Sequence, residues 1–523
     1  MSTAATATIT LAELFRRSAR IFANRPAIAW EGGEMTYAEL DRRADRLANA
    51  LAGLGYGDGS RIAVLSETRP EFCELYVACA KLGVTLVTLN IRLLPDEIAD
   101  CIDLAGPEAL FTSAMLAPTA EASRPRTPSI RRWYCFDDFP DSDYGDYADL
   151  VAGGAAGFAA RTLDPEGIHN VLYTSGTTGQ PKGAMISRRA AAIRGLRIAQ
   201  FFQLRPDDGF VGWLPLYHCG GDESLYASML TGGVYATLPK AEPDRMCRMI
   251  ERNRLTWTLM LPGVVTDFLQ NPARRRHDLS SMRFTFGYAN LLAPQVVVDL
   301  TMALDAPYWD AFGQTETSYL VAYGEVPVGQ KPNLRKLPTP FIDVAIVDDG
   351  MNELPVGVPG ECVVRGPSLM SGYLANPAAT DEVFRDGWLH TGDVLVRNDD
   401  GSLTFTDRKK YLIKTGGENV YPAEVEQVIS QLEGVQEACV IGVPDERWGE
   451  SVKACIVVRS GHSVTAGEVV DWCRSRLAPY KKPRYVEFLS VAEVPRSVTG
   501  KILRGDLARR PTTPDQVVQA TSA

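Results

Sequence analysis

The chain contains no run of eighteen or more apolar residues, so no segment is expected to cross a membrane as a helix. Its ten cysteines include no Cys-x-x-Cys pair. That argues against zinc ligation and a secreted disulfide framework, and for dispersed thiols in a reducing compartment. Surplus positive charge is missing too: 54 Lys and Arg stand against 64 Asp and Glu, a formal net charge of −10. Nucleic-acid affinity rests on the opposite balance, so nucleic acid is excluded as a partner. No Gly-x-Gly-x-x-Gly follows an apolar strand, which speaks against a Rossmann dehydrogenase. A Walker A loop and internal repeats are likewise missing. The amino terminus, Met1-Ser-Thr-Ala-Ala-Thr-Ala-Thr8, has no basic flank leading into an apolar stretch, so the expectation is a cytoplasmic chain without a secretory signal.

What is present is a mixture of 45% hydrophobic and 23% charged residues over 523 positions, enough for two or three globular domains. Thr10 to Leu51 reads as two amphipathic helices around a short strand, Pro26–Trp30. The run Arg61–Ser66, the helical pattern Pro70–Leu82 and the run Val84–Leu89 then predict a βαβ unit and a parallel sheet. The same rhythm returns from Phe210 to Pro239 and from Trp257 to Phe286, whereas Pro118 to Gly157, rich in Pro, Asp, Gly and Ala, predicts irregular surface structure. Past Pro338 the alternation of Phe341–Val347 and the run Glu361–Arg365 suit a small antiparallel or barrel-like subdomain. After Asp407-Arg-Lys-Lys410 the chain starts again with helix Pro422–Gln431, strands Ala438–Ile441 and Val452–Val458, and helix Val464–Leu477, a compact α+β pattern. The composition of Arg510–Ala523 predicts a disordered tail.

The most informative stretch is Val171-Leu-Tyr-Thr-Ser-Gly-Thr-Thr-Gly-Gln-Pro-Lys-Gly-Ala184. An apolar entry runs into small and hydroxylated residues, then Gly179, Lys182 and Gly183. Glycines let the backbone turn tightly and aim N–H groups at an anion. Ser175, Thr177 and Thr178 add hydroxyl donors and Lys182 adds a point charge, which together suit a polyphosphate. A flexible linker would not sit directly behind an apolar strand, nor end in Pro-Lys-Gly before a basic helix.

This loop resembles the phosphate signature of the acyl-adenylate-forming superfamily of acyl-CoA synthetases, adenylation domains and luciferases, most of all the acyl-CoA ligases. The resemblance runs from about Thr10 to about Gly505, with five further motifs in the family's order. It implies an α/β fold in which residues 1–407 form a large N-terminal domain with βαβ layers and a small β-barrel-like subdomain. Residues 408–509 form a small mobile C-terminal α+β domain, and 510–523 a tail. It also implies the ligands. ATP would meet Thr174, Ser175, Gly176, Thr177, Thr178, Gly179 and Lys182, and further along Gly287, Tyr288, Ala289, Asp310, Phe312, Gly313 and Thr315. Tyr308-Trp-Asp-Ala-Phe-Gly-Gln-Thr-Glu316 looks like the segment in which an aromatic covers adenine, Thr315 bonds the α-phosphate, and Glu316, with Thr174, holds Mg2+.

Trp388-Leu-His-Thr-Gly-Asp393 looks like the segment whose carboxylate accepts both ribose hydroxyls. Arg408 would join it at the ribose, and Lys410 sits at the family's pivot. Lys414, Gly416 and Gly417 fall in the loop that lines the pantetheine tunnel of relatives. Pro495-Arg-Ser-Val-Thr-Gly-Lys501 resembles the motif carrying the adenylation lysine, a cation that can bridge an incoming carboxylate and the α-phosphate. The residues implied to be catalytic are Lys501, Thr178, Glu316 and His218.

The acyl pocket departs from the family's wording. Tyr288 replaces a glycine in Gly287-Tyr-Ala-Asn290, which should shorten the pocket, and Lys331-Pro-Asn-Leu-Arg-Lys336 puts Asn333, Leu334 and Lys336 where small residues are usual, with Arg335 and Lys336 expected to bring positive charge towards the substrate. Leu214-Pro-Leu-Tyr-His-Cys-Gly-Gly-Asp-Glu223 keeps the pocket histidine His218 and adds Asp222 and Glu223. These two read either as an N-cap and first-turn carboxylate or as pocket acids that recognise an amino group. The expected reaction is therefore ATP-dependent activation of a small polar or aryl carboxylic acid and its transfer to coenzyme A. A carrier-protein thiol or a non-thiol nucleophile is the alternative acceptor, and a homodimer is left open. An inactive nucleotide-binding module is disfavoured because Lys182, Glu316, Asp393, Arg408 and Lys501 occur together.

Overall fold

The computed structural model describes residues 9–139, 142–175, 181–415, 418–445, 447–496 and 502–512. The chain divides into two compact units. The first comprises Met1–Tyr288, Val296–Asp343 and Val364–Leu389, and the second Ala289–Gln295, Val344–Val363 and His390–Ala523.

Two sheets organise the first unit. One has eight strands in the order Gly372–Tyr373, Pro181–Ser187, Ile168–Ser175, Thr85–Thr88, Arg61–Leu65, Ala109–Thr112, Arg132–Cys135, Gly145–Asp146. It is parallel from Ile168–Ser175 outward to Gly145–Asp146, and antiparallel at the Pro181–Ser187 end. The strands of the other run Arg335–Pro338, Ser318–Val326, Tyr308–Gln314, Phe284–Gly287, Trp257–Leu259, Gly209–Gly212, Val234–Thr237, Pro26–Trp30, Gly33–Thr36. Its central members are parallel, and their burial on both faces explains why they read as unbroken apolar runs.

Helix Pro70–Leu82 packs on strands of both sheets, and every residue from Phe72 to Leu82 is buried. Pro70 at its first turn and Gly83, left-handed at φ +87, mark its ends, and the helix spans the residues expected from sequence. Helix Cys219–Thr231 is also enclosed, with Gly220 to Met229 buried. A helix covered all round has no polar face, which decides the fate of any charged residue on it.

The stretch 118–157 departs from the irregular structure expected of it. Helices Ala117–Ser123 and Tyr147–Gly153 and strands Arg132–Cys135 and Gly145–Asp146 form there. Its Pro and Gly residues fall mostly between elements or at their ends, while Trp133, Tyr134 and Tyr147 supply the buried surface.

In the second unit, strands Glu418–Val420, Ile413–Thr415, Gly449–Val458 and Val435–Asp445 form a sheet with Tyr485–Phe488 added alongside Gly449–Val458. Helices Pro422–Ile429 and Ala466–Arg474 contribute Val425, Ile429, Val469 and Val470 to its core. Residues 344–363 and 390–408 add an open row of strands, Asp343–Val347, Pro359–Arg365, Trp388–Arg397 and Leu403–Arg408. Among the described residues the strands of this row are not joined into a closed ring, an order compatible with the small antiparallel or barrel-like subdomain expected of the segment. No helix is long and apolar enough to cross a membrane among the described residues.

Candidate active site

Strands Ile168–Ser175 and Pro181–Ser187 are antiparallel, with Thr174 opposite Lys182 and Ser175 opposite Pro181. The loop expected to hold phosphate therefore joins two paired strands at the end of a parallel sheet. Gly176, Thr177, Thr178 and Gly179 lie outside the described residues, as do Gly416, Gly417 and Lys501 and the side chain of Ser175. Thr174 Oγ1 donates to the Lys182 carbonyl at 3.5 Å. The Lys182 ammonium lies 5.1 Å from the centroid of the Tyr373 ring, and the Tyr373 hydroxyl donates to Glu316 Oε1 at 2.7 Å. Burial and the charge of Glu316 push the Tyr373 phenol well up, so it remains a donor. Among the described residues no group of three or more His, Cys, Asp or Glu forms a metal cage. A carboxylate and a hydroxyl, such as those of Glu316 and Thr174, are oxygen donors of the kind that would suit Mg2+, which keeps most of its shell for water and phosphate.

The turn at Thr315–Glu316 is braced from beneath. Arg194, on helix Arg188–Phe201, donates to the carbonyls of Thr315 at 3.1 Å, Glu316 at 3.4 Å and Ser368 at 2.8 Å. Its counter-ion is Glu223, 2.9 Å away, whose second oxygen takes the Ser318 hydroxyl at 2.5 Å. Arg197, one turn along, donates to Ser368 Oγ at 3.0 Å and the Thr317 carbonyl at 3.4 Å. Gly313 is required here, because a Cβ would stand 2.2 Å from the Ser318 carbonyl. The Thr315 hydroxyl reaches Cys219 Sγ at 3.9 Å.

These contacts correct the reading of Asp222 and Glu223. Helix Cys219–Thr231 begins with His218 at the N-cap position, so Asp222 lies within its first turn and caps nothing. Glu223 is fully buried and spent on Arg194 and Ser318. Asp222 accepts from Asn170 at 2.8 Å and Tyr226 at 3.0 Å, and burial pushes its carboxyl well up. Neither offers a free carboxylate to a substrate amine. The cause is the burial of this helix from Gly220 to Met229, which turns both carboxylates towards internal partners. Lys336 is similarly withdrawn: it pairs with Asp310 at 2.6 Å, with both side chains at most 2% exposed. Asp310 opposes Gly324, and the absence of a side chain there lets Lys336 reach across the intervening strand. Arg335 is exposed, and Asn333 accepts its backbone N–H at 3.0 Å.

Gly287 lies opposite Asp310 at the end of its strand, where a Cβ would come within 2.5 Å of the Tyr308 hydroxyl. Tyr288 follows, half-buried, and Phe312 is buried on the neighbouring strand. Burial, with the charge of Arg92, holds the His218 imidazole down to about 4, so it is neutral at pH 7. His169, a buried ring between Tyr76 and Tyr226, is pushed down to about 3 by burial, with Arg188 adding to it. The unfolded chain gains a proton near pH 6.5 that this native ring refuses. Its contribution is therefore fully present above that value and lost as pH falls towards 3. At pH 5 the loss relative to pH 8 should be about 2 kcal/mol. Urea midpoints at both pH values measure it, and His169→Phe should remove that share of the slope. An unchanged slope would reject the assignment.

In the second unit Asp393 and Arg408 face each other across paired strands, with Arg408 Nε 2.9 Å from Asp393 Oδ1. Ala289 lies in the short turn Ala289–Leu291 of the same unit. Asp407 accepts from the Arg408 and Ala423 N–H groups, both at 2.6 Å, the latter at the start of helix Pro422–Ile429. Lys410 is exposed with its ammonium 4.9 Å from the Tyr411 ring, and the Lys414 N–H donates to Glu450 at 2.7 Å. Arg504 is anchored to Glu426 and the Val440 carbonyl. Arg194, Arg197, Tyr373 and Asp407 are contributors that sequence reading missed. The three-residue spacing of Arg194 and Arg197 on a helix was the one signal available for the first pair.

The chain is similar to known proteins over nearly its whole length. A feruloyl-CoA synthase of Amycolatopsis sp is 33% identical over 500 residues, covering 94% of this chain and 97% of the relative. The indoleacetate–CoA ligase of Aromatoleum aromaticum is 33% identical over 504 residues, covering 95% and 97%. ATP-bound MatB from Rhodopseudomonas palustris superimposes with a TM-score of 0.84 at 28% identity, covering 96% of this chain and 98% of that one. The AMP-binding enzyme family matches residues 15–374 and its C-terminal domain residues 424–501, so the chain belongs to the AMP-binding enzymes.

Proposed function

We propose that this protein is an ATP-dependent, AMP-forming acid–CoA ligase whose substrate is an aryl or other small carboxylic acid. The observation that carries the reading is the grouping of Lys182, Tyr373 and Glu316 at the exit of the phosphate-loop strands, within a chain that matches CoA ligases over 94% to 95% of its length. In the first half-reaction the acid attacks the α-phosphate and pyrophosphate leaves, giving the acyl-AMP. Lys182 and the hydroxyls of the 174–178 segment offset phosphate charge, and Thr315 orients the α-phosphate. Glu316 and Thr174 would hold Mg2+, which when bound neutralises the phosphates and polarises the phosphorus. Phe312, Gly287 and Tyr288 bound the adenine side, and Asp393 accepts from the ribose hydroxyls beside Arg408. Lys501 bridges the incoming carboxylate and the phosphoryl oxygens. Residues 408–509 then turn about Lys410 relative to 1–407, withdrawing Lys501 and presenting the 416–417 loop to the thiol, a use of domain motion as gating.

Burial of Asp222 and Glu223 among internal partners speaks against amino-group recognition, Lys336 is held by Asp310, and Tyr288 is the feature we take to shape the acyl pocket. A phenol at that wall disfavours long chains and suits a flat ring, as do relatives acting on feruloyl and indoleacetyl groups. Ten free cysteines suit a reducing, cytoplasmic compartment. An ATP–pyrophosphate exchange panel of aryl, amino-substituted and medium-chain acids tests the reading. Aryl acids should exceed decanoate by about tenfold or more, the scale of one or two misplaced methylenes. Tyr288→Gly should narrow that ratio. Best activity on decanoate would sink the substrate claim, and a product mass lacking CoA would sink the acceptor.

A further inference from the structure

Residues 370–374 touch both halves of the phosphate site in alternation. The Met370 N–H donates to the Glu316 carbonyl at 2.8 Å and the Tyr373 hydroxyl to its carboxylate at 2.7 Å. The Ser371 and Leu374 N–H groups donate instead to Met185 and Gly183, both at 2.8 Å, on the strand that carries Lys182. This segment forms the edge strand Gly372–Tyr373, antiparallel to Pro181–Ser187, with Tyr373 opposite Ala184. Gly372 sits at φ +134, where a Cβ would also meet Thr380, and Thr380 Oγ1 accepts the Tyr373 N–H at 2.9 Å. The ring of Tyr373 is thus fixed from both sides, 7% exposed, with Lys182 over its face and Glu316 at its hydroxyl.

We propose that Tyr373 is a positioning residue that sets the Lys182 ammonium and the Glu316 carboxylate at a fixed separation for the triphosphate. The inference rests on the roles given above to those two groups. An ammonium and a carboxylate so close would otherwise collapse onto one another, and each would arrive at the phosphates already neutralised. Among the described residues Lys182 makes no ion pair. The phenol supplies a π face to the cation and a hydrogen bond to the anion, so both charges stay satisfied but separate. Residues 370–374 add the backbone counterpart, tying the Glu316 turn to the Lys182 strand as one body.

Tyr373→Phe keeps the ring and removes only the hydrogen bond to Glu316. It should weaken ATP binding in the presence of Mg2+, read by isothermal titration, and raise the Mg2+ concentration for half-maximal pyrophosphate exchange. Each shift should be about tenfold, the scale of one lost charge-assisted bond. The KM for the acid and the rate of thioester formation from synthetic acyl-AMP should hold. In a Glu316→Gln background the same change should add less than it does in wild type, because the amide oxygen still accepts the phenol but no longer as a charged partner. Glu316→Gln and Lys182→Ala are measured alongside. If both impair exchange while Tyr373→Phe binds ATP as wild type, the proposal is overturned alone. If neither impairs it, the phosphate-site reading falls and takes the proposal with it. Full additivity of Tyr373→Phe and Glu316→Gln would also overturn it, and that comparison is independent of any loss in melting temperature.

Discussion

Glu223→Gln is expected to lower the free energy of unfolding by about 3–5 kcal/mol, because it strands the Arg194 charge inside the protein. Arg194 and Glu223 are at most 1% exposed, so water cannot take over the lost partner. Against a typical stability of about 5–15 kcal/mol, that loss is a large fraction of the whole. Urea unfolding should show a lower midpoint with an unchanged slope. The double change Arg194→Met, Glu223→Met removes both charges and should be less costly than Glu223→Gln alone. It also removes the donors to the Thr315, Glu316 and Ser368 carbonyls, so pyrophosphate exchange should collapse even in folded enzyme. Stability and activity thereby separate. A Glu223→Gln variant within 1 kcal/mol of wild type, in the sense of an about one-unit pKa effect, would show that Arg194 has another counter-ion.

Lys501→Ala should slow adenylation by about 10²–10³-fold, the scale for losing one charge partner of a developing oxyanion. When the carboxylate approaches the α-phosphate, two anions are forced together and negative charge gathers on the phosphoryl oxygens. A cation reaching both lowers that barrier, whereas attack of a thiol on the finished acyl-AMP does not repeat the problem. Thioester formation from synthetic acyl-AMP should therefore stay within a few-fold of wild type, again by the charge-partner scale. Pyrophosphate exchange that survives Lys501→Ala would remove this lysine from the mechanism. Lys501→Arg is expected to rescue poorly, since a broad planar fork does not replace a compact ammonium in a bridging position.

Local signals made much of the fold legible. Strand Pro26–Trp30 and helix Pro70–Leu82 form at the bounds read from sequence, because a short apolar run and a Pro start with a Gly stop are written in the chain itself. The stretch 118–157 was misread because composition hid aromatic residues that find partners only in the third dimension. The same limit applied to the candidate site. The phosphate-loop segment and the Thr315–Glu316 turn are contiguous motifs, whereas the groups that fix them come from 57 to 191 positions away: Arg194 beneath the turn, and Tyr373 on an edge strand. Asp222 and Glu223 show the converse error. A carboxylate in a first helical turn suggests solvent or ligand, and only the enclosing of that helix reveals that its charges face inward.

Asp407 holds a further consequence. Its carboxylate accepts the Ala423 N–H, and Lys410, the proposed pivot, lies in the chain between the two. A large turn at residue 410 that carries helix Pro422–Ile429 away must first open this bond, and the turn back must remake it. A hydrogen bond to a charged acceptor contributes about 1.5–3 kcal/mol, enough to favour one orientation by roughly ten- to a hundredfold. The resting preference of the enzyme between its two half-reactions would then depend on this bond, tuned by one side chain that never meets a substrate.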